Sequence, residues 1–165
     1  MKRPATKPKP TALQKAVELL AAQDHSTAKL KEKLVRRGYG TDEIDAAVAR
    51  LTEKRYLDDE VVCRRQFQYM YEDGRLSLRQ IMEKLRQRGF PREVIEACRP
   101  EDSREREEAV ALSCLRMKFR APAPAEKWKV FLYRRGFDMA VCEAAAAAFR
   151  AEAPENAEED DGFDE

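Results

Sequence analysis

His25 stands between Asp24 and Ser26, so an imidazole, a carboxylate and a hydroxyl are neighbours, the group types that general acid–base and nucleophilic catalysis use. It is the only histidine in 165 residues, and it falls where a helix is expected to start, which assigns it to capping or surface solvation. Asp58, Asp59 and Glu60 form the one compact acidic cluster of the expected folded part. Such a triplet can hold a metal ion, and a metal-dependent nuclease built on Asp58 and Asp59 would use it. At a helix N-terminus three acids have a simpler role, accepting from free N–H groups and facing the positive end of the helix dipole. Neither a GxxxxGKS nor a GxGxxG loop occurs, so nucleotide binding is not expected. Cys63, Cys98, Cys114 and Cys142 are spaced by 35, 16 and 28 residues, with no CxxC pair and no zinc pattern, and read as reduced, partly buried small hydrophobes. No catalytic residue, metal site or cofactor is expected.

The remaining polar chemistry is basic and clustered. Lys29, Lys31, Lys33, Arg36 and Arg37 crowd one stretch, Arg79, Lys84, Arg86 and Arg88 a second, and Lys127, Lys129, Arg134 and Arg135 a third. Cationic groups in series neutralise a phosphate backbone, or meet an acidic protein surface, with strongly salt-dependent affinity. The net charge of +1 conceals this, because residues 151–165 hold eight acidic side chains and no basic one, while residues 11–150 hold 28 basic against 23 acidic groups. The first ten residues, MKRPATKPKP, add four basic groups among three prolines. Residues 1–10 are therefore expected to be a disordered basic arm and 151–165 a disordered acidic tail. No apolar run approaches the ~20 residues that cross a bilayer, and no apolar leader opens the chain. No membrane association and a cytoplasmic location are expected.

The elements that position the basic groups come from an internal repeat. Leu30 to Tyr39 is LKEKLVRRGY, Ile81 to Phe90 is IMEKLRQRGF, and Trp128 to Phe137 is WKVFLYRRGF. Each has a Leu four positions after its first residue, an Arg before a Gly and an aromatic after it. Four residues upstream stand Ser26, Ser77 and Pro124, all suited to opening a helix. The glycines Gly38, Gly89 and Gly136 are 51 and 47 residues apart. Each suits the C′ position of a helix, where positive φ is free of Cβ strain, with the aromatic folding back as a clasp. Arg37, Arg88 and Arg135 sit in the last turn, beside the negative end of the dipole.

Apolar stripes flank every motif. Leu13, Ala16, Val17 and Leu20 precede the first, and Ile44, Ala47, Val48 and Leu51 follow it. Cys63, Phe67 and Met70 precede the second, with Val94, Ile95 and Cys98 after it. Leu112, Leu115 and Phe119 precede the third, with Cys142, Ala145, Ala146 and Phe149 following. Tyr56 and Leu57 are expected to pack at the first boundary, where Asp58 or Asp59 caps the next helix; Asp102 or Ser103 does so at the second. All eight prolines fall at boundaries, and no window alternates with period two. The expected fold is all-α: three tandem three-helix repeats, residues 11–57, 58–100 and 101–150, stacked into an elongated, curved array.

This pattern resembles the RecX family, the bacterial regulators of the RecA recombinase. The resemblance rests on Asp24 and Ser26 followed by LKEKLVRRGY, on Tyr56 to Asp59 (YLDD) opening the second repeat, and on the two later Leu-to-Gly-aromatic motifs, and it spans residues 11 to about 150. It implies tandem three-helix repeats that bind the RecA filament on DNA. It further implies a non-enzymatic regulator of homologous recombination, DNA repair and the SOS response that inhibits its target, with the RecA filament and single- or double-stranded DNA as partners of a monomer. An alternative reading is a helical-repeat nucleic-acid-binding protein without a recombinase partner. Stacking of like repeats is expected to align the three basic clusters on one side.

Overall fold

A computed structural model describes residues 9–119 and 124–152. Among the described residues there are nine helices and no strand: α1 Ala12–Ala22, α2 Thr27–Val35, α3 Thr41–Glu53, α4 Asp59–Glu72, α5 Leu78–Gln87, α6 Arg92–Glu96, α7 Arg104–Lys118, α8 Ala125–Arg134 and α9 Met139–Ala151. They run as three consecutive triplets, so the molecule is an all-α repeat protein. None of these helices is long and apolar enough to cross a membrane.

The second helix of each triplet ends in the same way. Gly38, Gly89 and Gly136 have φ of 75, 84 and 89°. The N–H of the following aromatic donates to the Leu carbonyl five residues back at 3.3 Å in all three motifs (Tyr39 to Leu34, Phe90 to Leu85, Phe137 to Leu132). Each glycine N–H donates three residues back at 2.9 Å. This pair of bonds is the Schellman arrangement, which satisfies carbonyls the helix leaves free and turns the aromatic inward. Phe90 and Phe137 are buried accordingly. The residues expected in register after the motifs, Ile44, Ile95 and Cys142, are buried as well.

The chain forms two compact units, Met1–Phe67 with Lys84–Arg99 and Gln68–Glu83 with Pro100–Glu165. In the first, Ala16, Leu30, Leu34, Ile44, Val48, Leu51 and Leu57 make the core, with Leu13, Leu19, Leu20 and Tyr39 against it. The α1 stripe is turned from its expected setting: Ala12 and Ala16 face inward while Val17 is 49% exposed. Small alanines at the contact leave Val17, the residue beside Ala16, on the flank. At the first boundary Leu57 is buried but Tyr56 is 71% exposed, because Arg55 adopts a left-handed φ of 56° and the N–H groups of Tyr56 and Leu57 both return to the Leu51 carbonyl. That turn aims Leu57, and not its neighbour, into the core.

The second unit is built on Val110, Ala111, Cys114, Leu115, Trp128, Leu132, Phe137, Val141, Cys142, Ala145 and Ala146. Edge-to-face ring pairs, Phe119 with Phe131 at 5.5 Å and Trp128 with Phe149 at 5.0 Å, close its sides. Half-buried Arg106 donates to the Tyr71 and Leu76 carbonyls and pairs with buried Glu107 at 2.6 Å, holding the loop between α4 and α5.

The expected arm and tail lie outside the described residues except at their inner ends. Tyr39 donates to the Pro10 carbonyl at 2.8 Å, and the Lys9 ammonium sits 4.3 Å from the Tyr39 ring centre. Ala151 closes α9, and Glu152 pairs with Arg116.

Candidate nucleic-acid interface

The first basic cluster is positioned by how α2 begins. Ser26 has extended backbone and its Oγ accepts from the Lys29 N–H at 3.1 Å, an N-cap bond. The same hydroxyl donates to the Arg88 carbonyl at 2.6 Å, so one Oγ caps its own helix and holds the next motif. The second triplet repeats the device: Ser77 Oγ accepts from Gln80 N–H at 3.2 Å and donates to the Arg135 carbonyl at 2.6 Å. An acid completes each joint. Asp59 accepts from the Thr27 N–H and hydroxyl at 2.8 and 3.0 Å, and Glu107 accepts from the Leu78 N–H at 3.0 Å.

The YLDD acids are thereby accounted for. Asp58 caps α4 through the Val61 N–H at 3.1 Å, and Asp59 is committed to Thr27. Among the described residues no cluster of His, Cys, Asp and Glu suited to a metal ion is present. The second boundary is capped by Asp102, which accepts from the Arg104 N–H at 2.9 Å, while Ser103 makes no side-chain cap bond.

In the first unit this joint brings Lys29 and Lys33 of α2 to the same 240 Å³ cleft as Arg88, with Asp24, His25 and Gln66 also lining it. His25 is only 7% exposed, so it is not the solvated surface group its neighbours suggested. Lys33 Nζ lies 3.1 Å from His25 Nε2. Burial depresses the His25 pKa, the Lys33 charge lowers it further, Asp24 opposes this, and Lys29 adds to the lowering. The ring is therefore neutral near pH 7, and accepting from an ammonium requires an unprotonated Nε2, which puts the ring proton on Nδ1.

Two other charges at the cleft are paired with opposite ones. Lys29 bridges to Glu32 at 2.7 Å, and Asp24 pairs with Arg65. Lysine and arginine neighbours hold the Glu32 carboxyl below its usual range, with the Lys29 hydrogen bond the largest cause. Arg88 donates to Gln66 Oε1 at 2.6 Å. Lys33 faces the neutral His25 ring. Lys33 and Arg88 thus meet neutral partners, His25 and Gln66, and both charges are available to an incoming anion.

The other expected contacts have varied settings. Lys31 bridges to Asp45 at 2.7 Å, Arg36 to Glu32 at 2.5 Å, and Arg37 donates to its own helix at the Lys33 carbonyl at 2.9 Å. Arg79, Lys84, Arg86, Lys127 and Arg134 are exposed, and Lys129 is half-buried. The three motif arginines are not equivalent: Arg37 and Arg88 are exposed, but Arg135 is half-buried, 5.4 Å from the Phe131 ring centre and 3.4 Å from the Arg75 carbonyl. His25 and Gln66, which help shape the cleft, carry no local signal; their role follows from the Ser26–Arg88 joint.

Tandem three-helix triplets joined through their second helices, with a basic cleft at the first joint, define a helical-repeat protein. The family description "RecX, first three-helix domain" matches residues 12–51. Regulatory protein RecX of Chlorobaculum tepidum is 34% identical over 135 residues, covering 79% of this chain and 82% of the relative. That of Thermus thermophilus is 35% identical over 130 residues, covering 79% and 86%. The crystal structure of RecX from Lactobacillus salivarius shares the fold with a TM-score of 0.69 at 14% identity, over 85% of this chain and 95% of that one. The chain belongs to the RecX family of regulatory proteins.

Proposed function

We propose that this protein is a non-enzymatic, cytoplasmic and monomeric regulator of homologous recombination and DNA repair that binds RecA and the RecA–DNA filament and inhibits its activity. The observation that carries this reading is the first-unit cleft, lined by Lys29, Lys33 and Arg88, where Lys33 and Arg88 meet the neutral partners His25 and Gln66. A phosphate oxygen of filament-bound DNA, or a carboxylate repeated along a protein polymer, is the partner such a group selects. Membership of a family of regulatory proteins supports the regulatory role. The hydrogen bonds of Asp58 and Asp59 to helix N-terminal N–H groups support a structural role for both.

RecA strand exchange and DNA-stimulated ATPase, measured with the protein substoichiometric to RecA, test the reading. Both are expected to fall, and excess free DNA is expected to relieve the effect only partly. Tight DNA binding with unchanged strand exchange and ATPase would instead establish the helical-repeat nucleic-acid binder without a recombinase partner.

A further inference from the structure

Cys63 and Cys98 both belong to the first unit, and their sulfurs are 3.9 Å apart. Cys63, on α4, is fully buried, whereas Cys98, just beyond α6, is half-buried. Cys98 lines a 170 Å³ depression together with Glu60, Arg64 and Glu93. One sulfur is therefore reachable from solvent and the other lies directly behind it. Cys114 and Cys142 are also buried, in the core of the second unit.

We infer that Cys63 and Cys98 form a redox-active dithiol, a modification site at which a hydroperoxide converts the pair to an intramolecular disulfide. Cys98 Sγ attacks the terminal peroxide oxygen, the O–O bond breaks, and the leaving oxygen departs with the thiol proton as an alcohol, or as water when the oxidant is hydrogen peroxide, giving a sulfenic acid at Cys98. Cys63 Sγ then attacks Cys98 Sγ; the S–S bond forms, the S–O bond breaks, and the hydroxyl leaves as water with the Cys63 proton. Two thiols lose two electrons and the peroxide gains them.

The order of attack follows from access and protonation. Burial, and then the neighbouring Cys98 sulfur, push the Cys63 thiol up to about 12, so Cys63 resolves and does not initiate. Closing the bond requires the sulfurs to approach to about 2.05 Å. The movable partner is Cys98: α6 is a single turn of five residues, and Cys98 is held after it by its N–H on the Ile95 carbonyl at 3.1 Å and its thiol on the Val94 carbonyl at 3.3 Å. So short an element shifts at less cost than the long α4.

The test exposes the full-length reduced chain to hydrogen peroxide, blocks remaining thiols in denaturant, and maps peptides by mass spectrometry without reductant. The expected product is a Cys63–Cys98 cross-link lacking two hydrogens, reversed by dithiothreitol, with Cys114 and Cys142 alkylated. Cys98→Ser should give no cross-link, and Cys63→Ala should accumulate a Cys98 sulfenic acid that dimedone traps. Wild-type protein carrying sulfenic or sulfinic acid at Cys98 while Cys63 stays alkylatable would overturn the proposal. So would bridges involving Cys114 or Cys142, or no reaction at any thiol. The wild-type map decides the matter even if Cys63→Ala fails to fold.

Discussion

At the scale of single residues, the His25 ring beside Lys33 is a buried titratable group whose charge state the cleft sets. His25 next to Asp24 and Ser26 reads as a surface or capping group, yet it is buried against Lys33, because the joint that covers it links residues 62 apart in sequence. Val17 and Tyr56 differ from expectation because helix rotation and a left-handed Arg55 decide where they point. The His25 setting has a pH consequence. Its folded-state pKa lies below the ordinary 6.5, so the folded ring binds a proton less readily than the unfolded one. The neutral ring's contribution is complete above pH 6.5, declines as pH falls from there toward the depressed value, and is absent below it. Urea midpoints measured across this range should fall on acidification, and His25→Gln should flatten that part of the slope. An unchanged slope in the variant would contradict the assignment.

At the scale of elements, the Leu-to-Gly-aromatic motif, its helix stop and its register were readable because they are local and occur three times. The second use of the capping serines was not readable, since no local pattern distinguishes a hydroxyl that only caps from one that also donates to the next motif. The glycines gain a second role from it. A Cβ on Gly89 would lie 2.9 Å from Ser26 Oγ, and one on Gly136 would lie 3.1 Å from Arg79 Cβ and 3.2 Å from Ser77 Oγ, whereas at Gly38 the nearest atom is Lys9 Nζ at 3.8 Å. All three share positive φ, so the strain of an alanine there, about 1–2 kcal/mol, is common to them. Gly38→Ala should cost about that much. Gly89→Ala should cost about 1 kcal/mol or more beyond it, from the added contact. Ser26→Ala, which alone loses about 1 kcal/mol as a cap, should cost less in the Gly89→Ala background, because removing Oγ relieves the clash. Denaturant unfolding of the four proteins in this cycle measures the coupling; equal losses for Gly38→Ala and Gly89→Ala would refute the joint.

At the scale of the whole molecule, fold class and family follow from spacing, since three copies of one helix stop about fifty residues apart leave few architectures. The grouping into two units was not legible, because it depends on how the residues of the middle triplet are shared out, which no single segment encodes. The basic clusters were visible as composition, but ion pairs along α2 and its C-cap, and between α2 and α3, take up several of their charges, while Lys33 and Arg88 at the cleft meet neutral partners. The account therefore stands on that cleft meeting the filament. Its most direct test is the equilibrium affinity for preformed RecA–single-stranded-DNA filaments across a salt series, comparing wild type, Lys29→Glu with Lys33→Glu together, and Lys54→Glu with Lys118→Glu as exposed controls of equal charge change. The double cleft variant should bind about tenfold or more weakly, with a log–log salt dependence shallower by about one to two, while the controls change far less. Wild-type affinity and salt slope in a folded cleft variant would contradict the account.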